Sequence, residues 1–273
     1  MFYLTRKVRL VPTLYEVLSS RGLLGSLKLC LDAADILSYS SGQSFLDRSG
    51  GGYDFFLGAT SASAADDPTF NGVAGARSSS EYFSFDGGDS FRYDSASETW
   101  MDAMHQDSGL VTVFYALYAP ATLGSDMSII GTTGGAGGSR GLQRESDGSG
   151  VPRLRIIGGS VTRVDKTATT AYGTSAWNLC ALSYDEAAGA GGSFFWRNGS
   201  YNQVAGADTF DGTNSSPDAG AAGAVMEVGA LGNANTPLRN GSRIACLAVW
   251  QGVDLTKAQL DDIWTDMRGR FGL

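Results

Sequence analysis

The feature that most constrains this chain is a long succession of short apolar segments with period-two alternation, each closed by a cluster of Gly, Asp, Asn or Ser. In "LKLCLDA", Leu27, Leu29 and Leu31 fall on one face, as in a strand buried on one side. Comparable segments occupy 81–86, 90–93, 110–118, 127–131, 151–157, 177–184, 193–197, 225–231 and 242–250. The intervening "GTTGGAGGSRG", "SDGSG", "AAGAGG" and "FDGTNSSPDAGAAGA" consist of residues that turn the chain. Charged residues make up only 18% of the 273 positions and 38 are Gly, a balance suited to many strands joined by tight turns. Hydrophobic residues, at 42%, supply material for a substantial core. No fixed period relates the segments, which disfavours propellers and solenoids. The pattern predicts an all-β sandwich of about ten strands.

Two helices flank this array. In "VPTLYEVLSSRGLLGS", Leu14, Val17 and Leu18 stand at i, i+3, i+4 between Pro12 and Gly22. A helix this short is marginal alone in water and needs a neighbour, either its own sandwich or a second protein. Residues 1–26 are expected to form a separate attachment arm, with the sandwich over 27–273. Near the end, Thr256 and Gln259 have capping-box spacing, and Leu260, Ile263, Trp264, Met267 and Phe271 form one apolar stripe. That stripe is expected to pack on the sandwich while Asp261, Asp262 and Asp266 face water.

Charge is unevenly divided. Residues 1–30 carry five bases against one acid, and the remainder carries 15 bases against 27 acids, within a net charge of −8. An acidic body argues against nucleic acid as the main ligand, because phosphate binding needs clustered Lys and Arg. The basic start reads as a segment that meets another protein, or as a solvated terminus. There is no apolar run of about 18 residues to cross a membrane, and the first residues do not have the apolar core of a secretory signal. Cys30, Cys180 and Cys246 are widely spaced beside apolar neighbours, a pattern of buried thiols rather than disulfides or a zinc site.

Four motifs occur in an order that resembles the concanavalin A-like jelly rolls of the laminin-G-like type found in phage and bacterial surface proteins. "FSFDGGDSFRY" carries Phe85, Asp86, Gly87, Asp89 and Phe91 in a strand–turn–strand pattern, and "GLVTVFYALYAP" follows as a long strand. "SAWNLCALSYDEAAGAGGSFFWRNGSY" supplies Trp177 and the Asn198–Gly199 turn, and "MEVGALGNANTPLRNGSRIACLAVWQGVDLTKAQL" the closing strands. The resemblance implies a concanavalin A-like sandwich from about residue 27 onward. Because that fold hosts lectins, glycoside hydrolases and adhesion modules, it does not fix a function.

Hydrolases of this kind place two or three acids on one strand face, where a pair can flank a glycosidic bond. None of the six Glu here is followed by another within five positions, and Glu145-Ser-Asp147 reads as a loop. His105 is the only histidine and reads as a surface or loop residue. Asp86, Asp89 and Asp94 are candidate oxygen donors for calcium, although their spacing has no set ligand rhythm. For sugar contact, Trp100 in a polar run is the candidate exposed platform, with His105 beside it and Asn233, Asn235 and Arg239 as hydrogen-bonding partners. Trp177, Trp250 and Trp264 are assigned to the core, and Trp196 is left open.

The resulting expectation is a non-enzymatic phage virion component, a tail appendage or head decoration, with a lectin-like domain that meets a host glycan. Phe2, Tyr3, Arg6, Lys7, Arg9, Leu14, Val17 and Leu18 would anchor it to other virion proteins, as a homo-oligomer or within a larger assembly. The alternatives are a glycan hydrolase with a non-standard site and a bacterial surface adhesion module.

Overall fold

A computed structural model describes residues 10–94, 99–106, 109–124, 126–134, 140–158, 161–185, 187, 193–203, 222–232 and 235–273. Among these, sixteen strands run in chain order. The first eight are β1 (Leu27–Asp32), β2 (Ser44–Phe45), β3 (Phe55–Leu57), β4 (Thr69–Asn71), β5 (Tyr82–Ser84), β6 (Phe91–Tyr93), β7 (Leu110–Ala119) and β8 (Met127–Gly131). The second eight are β9 (Gly141–Ser146), β10 (Pro152–Gly158), β11 (Val161–Thr167), β12 (Ala176–Asp185), β13 (Phe194–Arg197), β14 (Ser200–Gln203), β15 (Glu227–Val228) and β16 (Arg243–Gln251). Three helices accompany them, α1 (Leu14–Ser20), α2 (Thr99–Asp102) and α3 (Lys257–Met267), and a 3-10 turn spans Arg268–Phe271.

The strands form two antiparallel sheets of eight. In the first, the order is β14-β13-β12-β7-β16, and the free edge of β16 is shared between β5–β4 and β1. The second runs β11-β10-β9-β8-β15-β6-β3-β2. At the centre of the first sheet, β7 and β16 are near-continuous apolar runs because both of their faces are covered. Val111, Val113, Tyr115 and Leu117 point into the core between the sheets, whereas Phe114 and Ala116 point outward beneath the helices. The molecule is therefore layered as helices, first sheet and second sheet.

The all-β sandwich with one closing helix is as expected, with differences in detail. Leu27, Leu29 and Leu31 do not share a face: a register shift between Leu27 and Leu29 sends Leu27 to the helix side with Cys30. In the segment 225–231 the strand is confined to Glu227–Val228, with a single isolated bridge from Leu231 to Asn235. Glu145 lies within β9, and the turn follows it, with Asp147 Oδ1 accepting from the Ser149 and Val151 amides at 2.9 Å. All three cysteines are buried and free.

Both expected helices carry full capping boxes, Thr13 with Glu16 and Thr256 with Gln259. Leu260, Ile263 and Met267 are buried on the first sheet, while Trp264 is half-buried, edge-on to Trp196 at 6.1 Å. The acids of α3 do not all face water. Asp261 accepts from the buried Trp196 indole at 2.9 Å, and Asp262 and Asp266 hold Arg21.

The anchoring expectation for Leu14, Val17 and Leu18 is corrected. All three are buried against their own sandwich, in one cluster with Cys30, Phe114 and Trp250. The outer face of the first sheet is apolar and needs cover, and α3 leaves part of it for α1. The Trp250 indole donates to the Leu23 carbonyl at 2.7 Å, fixing the chain that follows α1. Phe2, Tyr3, Arg6, Lys7 and Arg9 lie outside the described residues.

Candidate functional site

Three connections cross between the sheets at one end of the sandwich: 85–90 from β5 to β6, 120–126 from β7 to β8, and 229–242 from β15 to β16. They converge because β16 starts where β5 and β7 end, with Arg243 opposite both Ser84 and Tyr118. The last connection is fastened to the other two. The Gly241 amide donates to the Phe85 carbonyl at 2.9 Å, and the Phe85 amide to Ser242 at 3.0 Å. Arg239 Nε donates to the Leu123 carbonyl at 3.2 Å, and the Ser128 amide to the Thr236 carbonyl at 2.9 Å.

Between them lies an open cleft of about 570 Å³, lined by Asp86, Asp126, Thr236, Pro237, Arg239 and Asn240. The side chains of Asp86, Asp126, Arg239 and Asn240 are exposed. Thr236 has a φ of 45°, a left-handed conformation that a β-branched residue before proline rarely adopts. Its hydroxyl meets that of Ser128 at 2.7 Å, which helps to hold the loop in this shape. Gly87 also needs its positive φ, 105°, to bring the 85–90 turn towards the Asn240 amide.

Asp89 stands behind this turn, buried, with Oδ2 accepting from the Asp86 amide at 2.8 Å. Burial first, and then the charge of Asp86, pushes its carboxyl up to about 7. Asp94 lies beyond the far end of β6, its carboxyl raised by partial burial and by Asp54. Asp86, Asp89 and Asp94 therefore do not converge, and among the described residues no three His, Cys, Asp or Glu side chains gather as a metal cluster. The donor set expected for calcium does not fit.

The other expected contacts separate. Trp100 is buried and stacks on Tyr53 at 4.7 Å, so it is a core residue and not an exposed platform. His105 is also buried, at 2% exposure, rather than on the surface. Asn235 is exposed in the loop leading to the cleft, where its side chain donates to the Gly232 carbonyl at 3.3 Å, and Asn233 lies outside the described residues. Of the expected sugar-contacting residues that are described, Arg239 alone lines the cleft; Asp86, expected as a metal ligand, joins it there. Sequence reasoning missed Asp126, Thr236 and Asn240. The Asn240–Gly241 and Thr236–Pro237 pairs were the available signals.

No family model matches this sequence, and no curated protein matches it. Solved structures do. A sialidase of Trypanosoma rangeli in complex with sialic acid superposes with a TM-score of 0.57 at 10% identity, over 90% of this chain and 34% of the sialidase. The binding domain of botulinum neurotoxin DC in complex with rat synaptotagmin II gives 0.57 at 9% identity, over 89% of this chain and 52% of that domain. The serotype D/C binding domain alone gives 0.57 at 11%, over 89% and 53%. The chain thus spans about a third of the sialidase and about half of the toxin domains. At these identities the likeness is one of fold, and the fold is a β-sandwich.

Proposed function

We propose that this chain is a non-enzymatic, glycan-contacting sandwich carried by a tailed-phage virion. The cleft supports the glycan reading: three inter-sheet connections close on a polar concavity within the roughly 300–1,000 Å³ of small-ligand sites. Its carboxylates, amide and guanidinium match the hydroxyl-rich edge of a sugar. The virion setting rests on the order of the sequence motifs and on Arg6, Lys7 and Arg9 ahead of the sandwich, which would meet partner virion proteins.

A second reading, glycan hydrolysis, has one observation in its favour, since Asp86 and Asp126 line the same cleft. A general acid at neutral pH needs a buried or charge-crowded carboxyl. Both of these are open to water, and the buried carboxyl behind the turn, Asp89, is directed to the Asp86 amide. We therefore favour binding over cleavage.

The test is titration of the protein with a panel of purified bacterial surface polysaccharides. Arg239→Ala should weaken the best of them about tenfold, as for loss of a charged hydrogen bond. Absence of binding across the panel at millimolar sugar defeats the reading, and release of reducing ends establishes the hydrolase instead. Proteomics of purified particles tests the virion setting, which fails if the chain is missing from them.

A further inference from the structure

On the outer face of the first sheet, where the helical layer ends, a row of half-buried side chains crosses four strands. Trp177 of β12 stands directly opposite Tyr118 of β7, and Tyr118 opposite Arg243 of β16. Tyr82 of β5 closes the row. The Arg243 guanidinium lies 4.3 Å from the centre of the Tyr118 ring and 4.8 Å from that of Tyr82. Trp177 is edge-on to both tyrosines, at 5.7 Å and 5.9 Å, and is backed by Phe271 at 5.0 Å.

Two further observations point to a ligand. Among the described residues Arg243 has no carboxylate partner and donates no hydrogen bond, unlike Arg21, Arg48, Arg153 and Arg270, which are all ion-paired. Tyr82, Tyr118 and Trp177 are half-buried, and their polar tips make no bond to another described residue. Stacking fixes the plane of the guanidinium while its N–H fork stays available, a preorganised receptor for an anionic group. The rings beside it offer apolar surface with hydrogen-bonding rims.

We propose that Tyr82, Tyr118, Trp177 and Arg243 form a second binding surface, separate from the loop cleft, for an acidic saccharide. Arg243 takes the charged group and the rings take the C–H faces of the sugar. This rests on the glycan reading above for the kind of ligand, but not on the cleft. The acidic body of the protein disfavours long polyanions, so the surface suits a short or terminal acidic unit.

The probe is trigalacturonate, with maltotriose as its neutral counterpart, titrated into the full chain at low salt. The Trp177 indole resonance, assigned with Trp177→Phe, should shift with trigalacturonate. Arg243→Gln should weaken that saccharide about tenfold and leave maltotriose unaffected. A guanidinium that only staples the strands would lower Tm in Arg243→Gln and leave trigalacturonate affinity intact. That result, or a Trp177 signal that does not move while the saccharide binds elsewhere, overturns this surface but not the cleft. If neither trisaccharide nor any panel polysaccharide binds the native chain, both readings fall together.

Discussion

The Asp32 carboxylate and the Arg270 guanidinium, 238 positions apart, meet at 2.8 Å with neither side chain exposed. The same carboxylate accepts from the Leu14 amide at 2.7 Å and the Ala34 amide at 2.9 Å. One buried group thus joins β1, the first turn of α1 and the C-terminal 3-10 turn. Removing one partner leaves the other charged in a dry site, at a cost of about 3–5 kcal/mol. Arg270→Met should therefore lower unfolding free energy in urea by that order, and Asp32→Asn combined with it should recover part of the loss. A single variant as stable as the parent would show that the pair is dispensable.

The burial of α1 changes what a deletion should do. Leu14 and Leu18 are fully buried and Val17 nearly so, hence Leu18→Ala should cost about 2–5 kcal/mol, in the range for large-to-small core changes. Removing residues 10–20 should lower Tm sharply or abolish folding, because it uncovers Phe114 and Trp250. A truncated chain that melts with the parent would restore the view of α1 as an arm for other proteins.

Strands were legible where a long apolar run stood between turn residues, as in β7, β12 and β16, and hidden where a buried charge broke the run. In β9, Arg144 points into the core between Leu142 and Ser146, so the segment looked polar on both faces. Among the described residues its charge is accommodated without a carboxylate. The guanidinium donates to the Glu145 and Arg153 carbonyls and to the Tyr115 and Tyr172 hydroxyls, and it lies 4.7 Å from the Phe195 ring centre. No local pattern announces such a site, because its partners come from four other strands and loops. Trp100 misled for the opposite reason: it stands in a largely polar run, but its ring stacks on Tyr53. The cleft was half visible. Asp86 stood out as a candidate metal ligand and Arg239 as a candidate sugar contact, whereas Asp126 joins them only through the crossing of β7 to β8.

Asp89 gives the fold a pH dependence of definite sign. Its carboxyl titrates near 3.8 in the unfolded chain and is pushed up to about 7 in the fold, so the native state binds the extra proton between these values. The contribution to stability is full below about pH 4 and is lost as pH rises through about 7. Asp89→Asn keeps an acceptor for the Asp86 amide and removes the charge. The variant should gain stability relative to the parent at pH 8 and much less at pH 4, measured by denaturation at both values. An equal difference at the two pH values would remove Asp89 as the source.

Thr236 sets stability against binding. A non-glycine residue held in the left-handed region costs about 1–3 kcal/mol, and here it is β-branched and followed by Pro237. Thr236→Gly relieves that strain but loses the hydroxyl contact with Ser128, worth about 0.5–1.5 kcal/mol. The two effects nearly offset, so the variant should be as stable as the parent or slightly more so. Glycine also frees the loop that carries Arg239 and Asn240, and the cleft loses its fixed shape. Polysaccharide affinity should therefore fall several-fold while Tm holds or rises. If affinity is unchanged, the strained residue is incidental to binding; if Tm collapses, the Ser128–Thr236 contact outweighs the strain and the loop is held for stability alone.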